Sequence, residues 1–186
     1  MLDKAKKYIN VIAETTNSST FCVLPWIHIA TRPNGDARLC CGSNASQATK
    51  GILDAGLVKK ENGEPANFTN ETLMSAFNNA YMQDVRKTMM AGKIPLSCTK
   101  CFEEETNGIV SKRVWETFYW DQEGIDLSEL VAETAADGVI TDAAIAKNML
   151  SQAEQFVAEA ARLQEQAYEM DPSLKPKRGR KKETAE

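Results

Sequence analysis

Residues 21–41 read FCVLPWIHIATRPNGDARLCC, and residues 97–113 read SCTKCFEEETNGIVSKR. All five cysteines of the chain lie in these two stretches, at Cys22, Cys40, Cys41, Cys98 and Cys101. In the first stretch Phe21, Val23, Ile27 and Ile29 alternate with other residues at a period of two, interrupted at Pro25. Asn34-Gly35 is a two-residue turn signal, because both central positions of a tight hairpin favour positive φ. The stretch is therefore predicted to form a β-hairpin that brings Cys22 beside the Cys40-Cys41 pair. With that loop Cys41 falls opposite His28 and Cys40 opposite Ile29, so strand alternation points the two thiols to opposite faces. Pro25 can shift the phase of the first strand. Parity therefore leaves open which of Cys40 and Cys41 faces inward.

Cys98-Thr99-Lys100-Cys101 is a CxxC, a spacing common to zinc, iron–sulfur and thiol-redox sites. The thioredoxin-type reading needs a βαβ unit around it, and the sequence has none. One or two thiolates from the hairpin and two from the CxxC give four sulfurs. Four thiolates suit tetrahedral zinc or an iron–sulfur cluster. A helix over 71–91 leads into the CxxC: Leu73, Phe77, Tyr81, Val85 and Met89 recur at i+4. Asn70 is its predicted cap, Gly92 its C′ residue, and Pro95 lies just beyond. Between the two stretches, residues 42–70 read as a long loop with room for a second short hairpin near Lys59–Gly63. After the CxxC, a helical segment over Phe102–Trp120 is expected to break at Gly108.

The remaining residues bound what this site can serve. The chain has 186 residues, is 42% hydrophobic and carries a formal net charge of −4, enough apolar content for a core. Asp171 to Glu186 carry a net +3, which leaves −7 on the rest. An acidic body argues against nucleic acid wrapped over the whole surface. The N-terminal MLDKAKKYINVIAETTNSST lacks an apolar h-region, so neither a signal peptide nor a membrane span is expected, and the cytosol is the expected location. Thiols stay reduced there, which favours metal ligation over disulfides. His28 is the only histidine, which limits hydrolase mechanisms of the Ser-His-Asp or Cys-His kind. His28 reads as a packing residue or second-layer support for the site, and Trp26 as a cap over it. Glu105 and Arg113 read as a structural pair that locks the turn after the CxxC against the hairpin.

Thr141 opens a long helix to Met170, ended by Asp171-Pro172. Met149, Phe156, Leu163 and Met170 repeat every seven residues, as do Ala146, Ala153, Ala160 and Ala167. Such a large-and-small seam suits a coiled coil or a helix folded onto its own domain. Lys175 to Lys182, KPKRGRKK, reads as a solvated basic tail able to contact phosphate weakly.

Cys22, Pro25-Trp26, His28, Gly35, Cys40-Cys41, Arg86, Gly92, Cys98, Cys101, Glu105, Gly108, Ser111 and Arg113 together resemble the cysteine-rich segment of SPASM/twitch-domain radical SAM proteins, including phage-encoded ones. The resemblance spans roughly residues 20–118. It implies an auxiliary [4Fe–4S] cluster held by Cys22, Cys40, Cys98 and Cys101, with Cys41 as the alternative to Cys40. It also implies an electron-transfer or substrate-presenting role toward a separate radical SAM protein or a peptide substrate. The CxxxCxxC triplet of the SAM-cleaving cluster occurs nowhere in the chain, so that catalytic chemistry is not carried over.

The expected fold class is α+β: a small β-hairpin plus helix domain around a four-cysteine metal site, followed by a long C-terminal helix. The expected organisation is a lead-in over 1–19, the cysteine-rich domain over 20–120, an acidic linker over 121–140, an amphipathic helix over 141–170 and a disordered basic tail over 171–186. A homodimer through 141–170 and weak nucleic-acid contact by 175–182 are the further partner expectations. The alternative function is a structural zinc-binding interaction module whose helix dimerises or docks a partner.

Overall fold

The computed structural model describes residues 2–43, 56–134 and 137–175. Contacts divide the chain into a unit over Met1–Asn148 and a unit over Met149–Glu186. The first is mostly helical with a two-stranded antiparallel sheet. Its elements are α1 (Leu2–Thr16), α2 (Leu24–Ile27), β1 (Ala30–Thr31), β2 (Ala37–Arg38), α3 (Leu73–Phe77), α4 (Ala80–Met90), α5 (Thr99–Thr106), α6 (Lys112–Gln122) and α7 (Leu127–Ala132). The helix α8 (Asp142–Met170) begins in the first unit and supplies the body of the second. Among the described residues, no helix is long and apolar enough to cross a membrane.

The predicted hairpin over 21–41 is shortened and re-registered. Its first half is not strand: Leu24–Ile27 form a helical turn with Pro25 near its start. Proline has the φ of a first helical turn and no N–H for a ladder, so Pro25 starts a helix where the alternation implied a strand. The turn is also not the two-residue loop. Ala30 pairs with Arg38 and Thr31 with Ala37, the Gly35 N–H donates to the Arg32 carbonyl at 2.9 Å, and Gly35 takes φ +89°. Pro33-Asn34-Gly35 is thus a three-residue loop, a proline-led turn closed by a left-handed glycine. The register moves by one residue, which reverses the face each side chain meets.

Val58 and Ala66 complete a small network around Ala37. The Val58 N–H donates to the Ala37 carbonyl at 2.9 Å, and the Ala37 N–H donates to the Ala66 carbonyl at 2.8 Å. The tight turn between them, closed at Gly63 with φ +83°, is the second hairpin expected near Lys59–Gly63.

The single helix expected over 71–91 is two. Thr72 caps α3 through the Ser75 N–H, and Asn79 caps α4 through the Met82 N–H, in place of Asn70. Two adjacent asparagines, Asn78 and Asn79, offer side-chain acceptors that compete with a continuous backbone ladder. Asn78 uses the break: its side chain donates to the Ile140 carbonyl at 2.7 Å and accepts from the Ile140 N–H at 3.1 Å. The end of α4 is as expected. Gly92 is left-handed, and the Lys93 N–H closes onto the Thr88 carbonyl at 3.0 Å.

Two segments read as peripheral contribute to the core. Tyr8 and Ile12 of α1 are buried, and Tyr8 meets Phe118 of α6 edge-on at 4.9 Å. Ile125, Leu127, Leu130 and Ile140 are buried in the stretch read as an acidic linker. Their apolar spacing was masked by the surrounding acidic and small residues.

Arg86 is fully buried where these parts meet. It donates to the carbonyls of Pro25 at 2.9 Å, Gly138 at 3.0 Å and Phe77 at 2.6 Å, and to the Asn78 side chain at 3.2 Å. Burial pulls its pKa down to about 9, and no carboxylate is among these partners. Gly138 is as constrained as the contact it makes. It has φ +82°, and a Cβ there would lie 2.4 Å from the Gln83 carbonyl oxygen. Gly138→Ala is expected to lower unfolding stability by about 2–3 kcal/mol, from left-handed strain plus the backbone clash. Gly63→Ala, with the same φ sign but open space around it, is expected to cost about 1–2 kcal/mol. Urea melts of both variants check the difference, and equal losses would reject the clash.

Candidate metal centre

Three parts of the chain deliver the thiols. Cys22 follows α1, which ends at left-handed Asn17; the Ser18 and Thr20 hydroxyls then donate to the Met89 carbonyl near the end of α4. Cys40 leaves the sheet two residues after β2. Cys98 and Cys101 sit at the entry to α5, where the chain turns after Pro95. Cys22, Cys40, Cys98 and Cys101 line one cavity with about 350 Å³ of unfilled space, part of it open to solvent. Cys22 is buried, the other three are half-buried, and Cys41 is exposed and not among the residues lining the cavity. The sheet ends at Arg38, so Cys40 and Cys41 lie beyond strand alternation, in a turn that the Ser43 N–H closes onto the Cys40 carbonyl at 3.2 Å.

Polar groups act on each of the four sulfurs. The backbone of Leu24 pulls the Cys22 thiol down, that of Gly42 and Ser43 the Cys40 thiol, and that of Arg113 the Cys101 thiol. The Ser97 hydroxyl lies 3.9 Å from the Cys98 sulfur. Such donors favour the thiolate, yet burial outweighs them and raises all four thiols, Cys98 to about 12. Mutual repulsion adds to the rise, as Cys22 is opposed by Cys98, Cys40 and Cys101. Burial therefore favours the protonated form of these thiols. A cation bound there reverses the preference and releases protons.

Arg113 ties the site to its surroundings. Its guanidinium is buried, lines the cavity and is held by Glu105 at 2.9 Å and 2.5 Å. It also donates to the Phe21 carbonyl at 2.8 Å, next to Cys22, and stacks on Phe102, next to Cys101. Ser111 caps α6 and donates to the same Glu105 carboxylate. The pairing of Glu105 with Arg113 expected from sequence is present, and it clamps the CxxC turn to the Cys22 segment.

Trp26 and His28 lie elsewhere. Trp26 packs on Phe21 at 4.7 Å and donates to the Thr134 hydroxyl at 2.6 Å, so it is a core residue and not a cap over the cavity. His28 is half-buried at the end of α2; burial lowers its pKa, and Glu116 and Lys112 act on it in opposite directions. It does not line the cavity.

Sequence reasoning passed over Ser97, Gly42, Ser43 and Lys112 and read Met89 only as part of a helix stripe; all five line the cavity. Tyr81, read only as part of a helix stripe, is hydrogen-bonded to Ser97 and feels the charges of Cys98 and Cys40. A signal for some was present: Leu24 and Gly42 stand two residues after a cysteine, where a backbone N–H can turn back onto the sulfur.

Among the described residues, no three of the His, Cys, Asp and Glu side chains are grouped closely enough to hold one metal ion. The four thiols share one cavity lining. Zinc requires its sulfurs about 2.3 Å from one centre. An iron–sulfur cluster likewise takes four thiolates, so the donor type suits either group. No family model matches the chain, and comparison with curated proteins and with solved structures finds no match.

Proposed function

We propose that this chain is an iron–sulfur accessory protein in which Cys22, Cys40, Cys98 and Cys101 hold one [4Fe–4S] cluster. The observation that supports it most is the set of four thiols lining one cavity. Four polarisable sulfurs along one cavity are the donor set that an iron–sulfur cluster takes. The sequence resemblance to SPASM/twitch auxiliary domains points to the same ligands. When bound, such a cluster supplies one-electron redox chemistry. The chain's own residues hold four sulfurs, donate to them, and place Arg113 where its charge favours ionised Cys98.

Three of the four thiols are only half-buried, so the centre lies near the surface. That position suits electron exchange with, or substrate presentation to, a separate catalytic protein. The chain lacks the triplet of a SAM-cleaving cluster, and a radical SAM protein is the partner class the resemblance indicates.

The test is elemental analysis of protein purified without oxygen. About four irons and four sulfides per chain are expected. One zinc without sulfide would replace this reading with a structural zinc module, and a metal-free, folded protein would remove the metal reading altogether. The basic residues over 176–182 expected to contact nucleic acid lie outside the described residues.

A further inference from the structure

The second unit presents an apolar stripe to solvent. Met149, Leu150, Phe156, Val157, Leu163 and Met170 are all exposed, Phe156 at 72% and Met170 at 88%. An exposed helix of this length gains little stability from propensity alone, and apolar packing normally supplies the rest. Ala153, Ala160 and Ala167 run beside the large residues at the alternating three- and four-residue spacing of a coiled-coil seam.

We propose that this stripe is the contact surface of an antiparallel homodimer whose two-fold axis passes near Ala158. The pattern of large and small residues is self-complementary in that register. Ala153 faces the partner's Leu163, Ala160 faces the partner's Phe156, and Ala167 faces the partner's Met149. Every layer then combines one large and one small side chain, which packs evenly and lets the helices approach closely. A parallel pair stacks Phe156 on Phe156 and Ala160 on Ala160, so crowded layers alternate with hollow ones, and both cost stability. A two-fold contact is isologous and needs only this kind of self-matching.

The flanks agree. On one side Leu150 and Val157 widen the apolar surface. On the other stand Gln152, Glu159 and Gln166, with a single charge among them. Glu159 is already held in a two-pronged contact by Arg162, at 2.7 and 2.6 Å. The two Glu159 carboxylates near the axis therefore arrive neutralised. Six large apolar side chains and three alanines per copy, along about 33 Å of helix, approach the roughly 800 Å² per partner of a stable interface. This inference is independent of what the cysteines bind.

Sedimentation equilibrium of the full chain at about 100 µM, about a hundredfold above a Kd of about 1 µM, tests it. The expected mass is twice the 20.5 kDa of one chain. The double variant Phe156→Glu, Leu163→Glu is expected to halve that mass while leaving the near-ultraviolet circular dichroism of the first unit unchanged, since both residues are exposed. A genetically encoded spin label at Gln166 reports orientation. The antiparallel register separates the two labels by about 24 Å along the axis, and a parallel pair sets them about 10 Å apart. A single-chain mass for the natural sequence, a dimer that survives the double variant, or the short distance would each overturn the proposal.

Discussion

Arg86→Ala is expected to lower unfolding stability by about 3–5 kcal/mol, a loss well beyond that of a typical substitution. The side chain is fully buried, and its donors satisfy four oxygens that belong to three different places in the chain. The Pro25 carbonyl lies in the α2 turn, Phe77 and Asn78 lie at the break between α3 and α4, and Gly138 lies before α8. Each orphaned buried acceptor costs on the order of 1–3 kcal/mol, partly relieved by water entering the vacated space. Phe77, under the guanidinium at 4.8 Å, loses a stacking partner as well. Arg86→Lys keeps the charge but gathers its donors at one point, so it is expected to recover only part of the loss. Guanidinium melts of the three proteins check this, and a loss below about 1 kcal/mol in Arg86→Ala would show that the oxygens find other donors.

The second large effect is chemical. Cys98→Ser is expected to lose nearly all iron and acid-labile sulfide together, because a hydroxyl is a poor substitute for a soft thiolate at iron. Cys98 is the best choice of the four for this test. It lines the cavity, faces Ser97, and electrostatically opposes Cys22 and Cys40, so its removal opens one side of the ligand set. The matched control is Cys41→Ser. Cys41 is exposed and outside the cavity lining, and its replacement is expected to leave iron and sulfide at the unsubstituted level. Parallel iron, sulfide and zinc assays on the two variants decide the matter. Loss of iron on replacing Cys41 would reassign the ligand, and retention of iron and sulfide by Cys98→Ser would overturn the proposed centre.

Much of the local structure was legible in the residues. Gly92 and Gly108 marked helix ends where the structure has left-handed glycines, and Ser111 and Thr141 stand at helix starts. These signals work because caps and turns are decided by a few neighbouring residues. Prolines misled the reading where two local rules competed. Pro25 interrupted an alternating run and began a helix, and Pro33 moved the turn by one residue. Asn78 and Asn79 broke a helix that the apolar stripe ran straight through, because their side chains had partners 62 and 20 residues away.

By itself the sequence determined the mostly short-range facts: a small hairpin, a helix leading into a CxxC, a long C-terminal helix with a seven-residue repeat, and five cysteines in two bursts. It also paired Glu105 with Arg113, since the two are near in sequence and opposite in charge. Only the tertiary structure decided which cysteines share a cavity, that Cys41 stays outside it, and that Trp26 turns into the core. These depend on packing between segments far apart in the chain, where a one-residue change of register or a helical turn in place of a strand redirects every side chain after it. Arg86 shows the reason most directly. Its type and position are plain in the sequence, but its role exists only where Pro25, Phe77, Asn78 and Gly138 are folded around it.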